Sequence, residues 1–185
     1  MTTDHQISGG PYTLPQLAEV FDALRRGRHL CLEDGDIYRA VHEHIDQYRE
    51  LFKNLGFRFE EHPRGFYYFR GAGSVSDLTS KMAVFMFILV EAVADTSESV
   101  EQAIMSRPMA MTDLPHLKTE RYRGYLKEVG VVTDDDLEQV VSHLIRFGFA
   151  HRLDSGSFRF RSPAYRFFDV ALEILNELSK DKEQP

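Results

Sequence analysis

Apolar side chains recur along the chain at spacings that predict helices separated by short strands. The clearest case covers residues 36–55, where apolar residues recur every three or four positions and Gly56 marks the end of the helix. An earlier helix is predicted from Thr13, as its N-cap, to Gly27. Two extended runs, FRFEE and GFYYFR, follow Gly56 and are joined by a Pro–Gly turn, which indicates a β-hairpin.

The second half of the chain repeats this order. Its most apolar segment lies within residues 78–94 and predicts a buried helix. Thr133 is the predicted cap of a helix over residues 134–147, and a second hairpin, FAHRLDSGSFRFR, follows. A last helix begins after that hairpin. Between these elements, residues 95–118 predict only helical fragments broken by prolines.

A glycine separates an amphipathic helix from a hairpin in both halves, at Gly56 and Gly148, which indicates an internal duplication. Helices followed by a two-stranded hairpin are typical of a winged helix–turn–helix domain, in which the hairpin is the wing. We therefore predict a mainly α fold with small β-hairpins (α+β), built as tandem winged-helix domains over residues 1–75 and 76–185. The small polar stretch GAGSVSD sets the boundary. Two unrelated α+β halves are the alternative.

Composition narrows the class of protein. With 43% hydrophobic and 28% charged residues among 185, the chain is typical of globular proteins. A single cysteine, Cys31, excludes an internal disulfide and suits a reducing cytoplasm. The first twelve residues carry no apolar run, and the apolar segment at residues 82–94 is too short to span a membrane. We expect a soluble, cytoplasmic protein without a membrane partner.

No motif predicts catalysis or metal binding. The phosphate loop GxxxxGK[ST] and the zinc motif HExxH are both absent. The acidic run at residues 134–136 lies at the predicted start of a helix, where the helix dipole favours carboxylates, and it lacks the alternate spacing of a calcium loop. The histidines and Cys31 do not form a set of metal ligands. We expect no enzymatic activity, no cofactor and no metal.

Charge argues against reading of a DNA groove. The net charge is −7, and both helices in the recognition position, residues 36–55 and 134–147, carry more acids than bases. Basic side chains collect on a predicted helix over residues 119–129 and on the second wing, from which two arginines should point outward. We predict a weak, sequence-independent phosphate contact here, with a merely solvated face as the alternative. The candidate residues are Arg123, Lys127, Arg152, Arg159, Arg161 and Arg166.

Four consecutive aromatic residues form the second strand of the first wing. Phe66 and Tyr68 should face one side of this strand, and Tyr67 and Phe69 the other. The second wing alternates Phe with Arg instead, which leaves one face to water. We therefore expect protein to cover the Tyr67 and Phe69 face: the neighbouring domain, a second subunit or another partner. All four aromatic residues are candidate partner or dimer contacts.

The sequence resembles a known family at these places. GFYYFR in the first wing, and HLIRFGFAHR with SGSFRFRSPAYRFF across the second, resemble MukE, in particular the shorter MksE-type proteins of MukBEF/MksBEF-like bacterial condensins. The resemblance covers residues 28–172, is poor over residues 95–118, and does not extend to the longer acidic tail of MukE.

This resemblance implies the role of a "kite" subunit, a homodimer of tandem winged-helix chains that binds a kleisin. The kleisin in turn joins the heads of an SMC ATPase. Such subunits are nucleoid-associated, are not enzymes, and help the complex to hold DNA in chromosome organisation and segregation or in plasmid defence. A dimeric winged-helix transcriptional regulator is the alternative: the fold favours it, and the acidic recognition helices oppose it.

Overall fold

The computed structural model describes residues 14–71, 76–94, 99–153 and 156–169. Helices dominate these ranges, and the strands are short and antiparallel, which confirms the prediction of a mainly α fold with small β-hairpins. Residues 165–169 are also helical. The elements are α1 (Leu17–Arg25), α2 (Asp36–Glu43), α3 (Ile45–Asn54), β1 (Phe59–His62), β2 (Phe66–Phe69), α4 (Asp77–Ala94), α5 (Val100–Met105), β3 (Met109–Ala110), α6 (Glu120–Glu128), α7 (Asp134–Arg146), β4 (Ala150–Arg152) and β5 (Ser157–Phe160).

The start of α7 is fixed by a reciprocal cap. The Thr133 hydroxyl accepts a hydrogen bond from the backbone N–H of Asp136 at 3.1 Å, and the Asp136 carboxylate accepts one from the N–H of Thr133 at 3.0 Å. Hydrogen bonds from the N–H of Val132 and from Thr133 hold the pKa of Asp136 below its usual value. The predicted cap is confirmed here, whereas the predicted cap at Thr13 lies outside the described residues.

The prediction of one helix over residues 36–55 is wrong. The chain leaves helical geometry at His44, with φ −125° and ψ 30°, so α2 and α3 are separate helices. Val41 on α2 and Tyr48 on α3 are both fully buried in the same core. Because the apolar spacing continues across the break, periodicity cannot reveal it.

Each half contains a short strand that the sequence did not predict. In the N-terminal half Leu30 forms a single β-bridge with Tyr67 of β2. In the C-terminal half β3 pairs with β5, which places β5 between β3 and β4. Apart from α5, which follows α4 in the C-terminal half, the described elements of both halves have the same order: helix, short strand, two helices and hairpin, with the short strand beside the second hairpin strand. The duplication extends to sheet topology.

Two separate hydrophobic clusters fill the halves. The first is built from α1, α2, α3 and β2, with Phe52 and Tyr67 among its buried side chains. The second surrounds α4, whose residues Phe85, Met86 and Ile88 pack against α6, α7 and the second hairpin. Burial of these side chains is the main term that stabilises each half.

The halves meet where the segment after α1 passes the turn after α7. The backbone N–H of His29 donates to the carbonyl oxygen of Phe147 at 2.8 Å. Gly148 has φ +81°, and a Cβ there would lie 2.5 Å from the carbonyl oxygen of His29. Only glycine permits this approach of two backbones, because it has no Cβ and adopts positive φ without strain.

A buried ion pair joins the halves beside this contact. Oδ2 of Asp34 lies 2.7 Å from Nη2 of Arg161, and the two side chains are only 4% and 2% exposed. Asp34 also accepts hydrogen bonds from Arg28 at 2.6 Å and from the N–H of Cys31 at 2.9 Å. Burial alone would raise the pKa of Asp34, but Arg161, Arg28 and the Cys31 amide outweigh it, and the pKa is lowered.

The side chain of His29 makes a third link. Its Nδ1 lies 3.2 Å from the carbonyl oxygen of Phe147, and its Nε2 lies 2.7 Å from Nη1 of Arg166. These neighbours assign a neutral ring that donates from Nδ1 and accepts at Nε2. Burial, and then the charge of Arg166, lower the pKa of His29 to about 3. The imidazole is therefore uncharged at neutral pH.

Asp34→Ala tests the ion pair. The variant leaves the Arg161 guanidinium buried without its counter-charge, so the free energy of unfolding should fall by about 3–5 kcal/mol in a urea titration. Asp36→Ala is the matched control, because that carboxylate is 75% exposed in its pair with Arg39 and should matter by less than about 1 kcal/mol. Equal urea midpoints for the two variants would show that the buried pair adds no stability.

Acidification should weaken the fold through its buried histidines. The pKa of His29 is about 3 in the folded chain against 6.5 normally, and burial lowers the pKa of His116 to about 4. The unfolded chain therefore binds more protons below pH 6.5, and each histidine costs up to about 1.4 kcal/mol of stability per pH unit down to its folded pKa. Urea midpoints between pH 7 and 4.5 should fall less steeply for His29→Gln than for the natural chain. Parallel pH profiles would contradict the assignment to His29.

Candidate functional site

Both faces of the aromatic strand β2 are covered within this chain. Tyr67 is 1% exposed in the N-terminal core, where Phe69 packs beside it. Phe66 and Tyr68 face the other way, toward the C-terminal half. The Tyr68 ring stacks on His29 at 5.1 Å between centroids, and the Arg166 guanidinium lies 4.2 Å from its ring centroid.

The expectation that the neighbouring domain, a second subunit or another partner covers the Tyr67 and Phe69 side is therefore wrong, because the N-terminal core covers it. That side is the chain's own core, and the neighbouring half covers the opposite side. Phe66 and Tyr67 are fully buried, which removes them as direct contacts for another subunit, while Tyr68 and Phe69 are partly buried.

The strand register contains the signal that was missed. Phe59 pairs with Phe69 as Ala150 pairs with Phe160, so Tyr68 corresponds to Arg159 and Tyr67 to Phe158. Aligned in this way, the second wing predicts that Tyr67 points inward.

The tip of the first wing is docked on the C-terminal half. Arg64, in the turn between β1 and β2, lies 3.2 Å from the Glu101 carboxylate, and its guanidinium lies 3.6 Å from the ring centroid of Tyr165. His62 at the end of β1 lies 2.8 Å from Asp169. This wing is not free to enter a DNA groove without first breaking these contacts.

The structure divides the six basic candidates into two groups. Arg161 was expected to point outward but is 2% exposed in its ion pair with Asp34, and Arg166 is half-buried between His29 and Tyr68. Arg161 directly follows β5 and departs from the inward–outward alternation of that strand, because the Asp34 carboxylate of the other half binds it. A phosphate contact by Arg161 is therefore excluded in this arrangement.

The other four candidates are exposed. Arg123 pairs with Glu120 at 2.8 Å, and Arg152 pairs with Glu138. Lys127 and Arg159 have no ion pair within the described part of the chain. Arg123 and Lys127 share a face of α6, as predicted from their spacing.

Helix α4 has an open apolar face. Helices α5, α6 and α7 pack on its other sides, and the side left open among the described residues carries the exposed Ala83, Phe87 and Ala94 and the half-buried Val90. Phe87 is 51% exposed, and its ring meets the edge of Tyr125 at 5.6 Å. We call these four residues the α4 stripe. Sequence reasoning missed it because α4 is apolar nearly all round, so its pattern indicated complete burial.

In the part of the chain that the structure describes, these surfaces carry no cluster of side chains typical of a catalytic or metal site. Among the residues that the structure places, no group of three or more His, Cys, Asp or Glu side chains could hold a metal ion. Cys31 is fully buried, and burial raises the pKa of its thiol to about 12. None of the helices placed by the structure has the length and apolarity needed to cross a bilayer.

Comparison with known proteins tests the family resemblance over both halves of the chain. The family model described as condensin complex protein MksE matches residues 15–172, which include both duplicated units. No curated protein matches the chain. The match confirms the resemblance that the two wings indicated, and the chain belongs to the MksE family of condensin complex proteins.

Proposed function

We propose that this chain is a non-enzymatic kite subunit of a bacterial SMC condensin, acting as a homodimer of tandem winged-helix chains that bind a kleisin. The observation that carries the proposal is the family match across both duplicated units. The order of helix, short strand, two helices and hairpin, which recurs in the C-terminal half with α5 inserted after its first helix, supports the winged-helix interpretation. We assign the two domains to residues 1–75 and 76–185; residues 72–75 of the linker lie outside the described residues.

Protein binding suits these surfaces better than groove reading does. The first wing is docked on the other half, and α7 begins with the exposed carboxylates of Asp134 and Asp135. Acids at the start of a recognition helix would face DNA phosphates. This arrangement disfavours the alternative, a dimeric winged-helix transcriptional regulator, which a footprint with defined half-site spacing would support.

We assign kleisin binding to the α4 stripe. An amphipathic helix binds through an apolar groove or stripe that is exposed before assembly. With the first wing's aromatic strand covered, the α4 stripe is an apolar surface that remains open, and it carries no charge along its centre. The pair of Glu91 with Arg121 lies at its edge.

Co-purification with a MukF/MksF-like kleisin tests this role. The natural chain should hold the kleisin, and Phe87→Asp should weaken the complex at least about tenfold, because it places a charge in the apolar contact. Val132→Asp is the control, since Val132 is 61% exposed and lies outside the stripe. A natural chain that captures no kleisin would overturn the kite proposal. If a folded Phe87→Asp chain captures as much kleisin as the natural chain, only the assignment of kleisin binding to the α4 stripe is overturned.

We place the protein in the cytoplasm, at the nucleoid, where the assembled complex would contact DNA weakly in chromosome organisation and segregation or in plasmid defence. Lys127 and Arg159 support such a contact best, because they are exposed and no acid pairs with them in the described ranges. Arg123 and Arg152 would have to leave their carboxylate partners to bind phosphate.

Reversal of these two charges should weaken DNA binding by the assembled complex. Lys127→Glu with Arg159→Glu should reduce the slope of log K against log salt by about 2, equally for two unrelated duplexes. Arg25→Glu with Arg26→Glu is the control pair, because Arg25 ends α1, Arg26 follows it, and both pair with Asp22. Fluorescence anisotropy over a salt series measures the slope. An unchanged slope would identify the face as merely solvated.

A further inference from the structure

The two halves correspond residue by residue through their strands. Leu30 pairs with Tyr67 in the N-terminal half, and Met109 pairs with Phe158 in the C-terminal half. Each of these short strands leads into a 3₁₀ turn that ends in an aspartate, at Leu32–Asp34 and at Met111–Asp113. Asp113 is therefore the counterpart of Asp34.

The arginines that end the two hairpins correspond in the same way. The N–H of Arg70 donates to the carbonyl oxygen of Arg58 at 2.8 Å, and the N–H of Arg161 donates to that of Phe149 at 2.9 Å. Each half thus carries one aspartate and one arginine at equivalent places.

Only one of the two equivalent pairs forms within the chain. Asp34 of the N-terminal half meets Arg161 of the C-terminal half in the buried ion pair. A two-fold arrangement of the halves would also bring Asp113 to Arg70. Both of these residues are instead exposed and make no ion pair inside the described ranges. The halves therefore meet head to tail, and a head-to-tail contact leaves one unused surface at each end.

The unused basic end lies where the first hairpin joins the rest of the N-terminal half, and we call this place the root of the first wing. Arg58, just before β1, and Arg70, just after β2, stand opposite each other at the end of the hairpin, where like charges repel. Leu55, the counterpart of Phe147, is 55% exposed. No atom of the residues that the structure places lies within 4 Å of a Cβ added to Gly56, whereas its counterpart Gly148 is pressed against the other half. This surface has the same kinds of groups as the contact between the two halves, but no described segment of the chain binds to it.

The unused acidic end lies on the C-terminal half. The Asp113 carboxylate accepts a hydrogen bond from the hydroxyl of Thr112 at 3.4 Å and is otherwise exposed. Pro108 takes the place of His29 and has no N–H, so the backbone hydrogen bond of the internal contact is not repeated. A contact at this end should be weaker than the internal one.

We propose that a second copy of this chain fills the basic end: the Pro108–Asp113 segment of one copy docks on Leu55, Gly56 and Arg58 of the other, and Asp113 pairs with Arg70. Two such contacts close a dimer. The corresponding arginine of the same chain already binds a carboxylate presented by the same kind of turn, which favours protein over DNA phosphate as the occupant. This interface rests on the homodimer in the proposed function and names its surface.

A charge swap tests the interface on the full chain. Sedimentation equilibrium should find a dimer for the natural protein and an at least tenfold higher dissociation constant for Arg70→Asp and for Asp113→Arg. The double variant with both changes should recover dimerisation, because each contact regains opposite charges. Arg159→Asp is the control, since that arginine is equally exposed and lies outside the interface.

The remaining outcomes separate this interface from the proposed function. A natural chain that stays monomeric overturns both the interface and the homodimer. A dimer that neither single swap weakens overturns the interface alone. If the Arg70→Asp complex loses DNA binding while its dimer stays intact, Arg70 binds a DNA phosphate. That result would overturn the proposal that a second copy binds there. Kleisin capture by Arg70→Asp should equal that of the natural chain.

Discussion

The buried ion pair between Asp34 and Arg161 decides how this molecule is arranged. Two charges that are almost completely shielded from water are stable only while they face each other, so the halves must keep the orientation that joins them. That orientation brings the turn at Gly148 onto the backbone of His29 and seats the first wing against the C-terminal half. Surfaces that two independent winged-helix domains would expose are thereby buried, whereas the α4 stripe and the root of the first wing stay open within the described part of the chain.

The two halves repeat the same hairpin register, and their differences show how each hairpin is used. Tyr68 and Arg159 occupy the same position in the two hairpins, yet Tyr68 stacks on His29 whereas Arg159 points into water. The first wing has become part of an internal interface, and the second has kept a wet, basic edge. One ancestral unit can in this way serve two roles in a single chain, because a change at one strand face leaves the core face intact.

Sequence patterns predicted what depends on local spacing. The cap at Thr133, the course of α7, both hairpins and the duplication followed from periodicity and turn residues. The strands at Leu30 and Met109 are too short to show a period of two, and the break at His44 leaves the apolar spacing unchanged. The orientation of Arg161 depends on Asp34, which lies in the other half. No local pattern contains that information, although an alignment of the two hairpins on their terminal arginines would have oriented Tyr67 correctly.

The distribution of charge explains why a DNA contact here must depend on partners. Lys127 and Arg159 are local cations on a chain of net charge −7. At physiological salt, dissolved ions screen interactions between charges that are more than about 8 Å apart. The overall negative charge therefore repels DNA only at close range, and the two cations attract DNA only at close range. Each phosphate contact releases few counterions, and two of them do not hold DNA against the salt of a cell. A neighbouring subunit that places DNA beside this edge converts the same two cations into an added intramolecular contact, for which a weak affinity is enough.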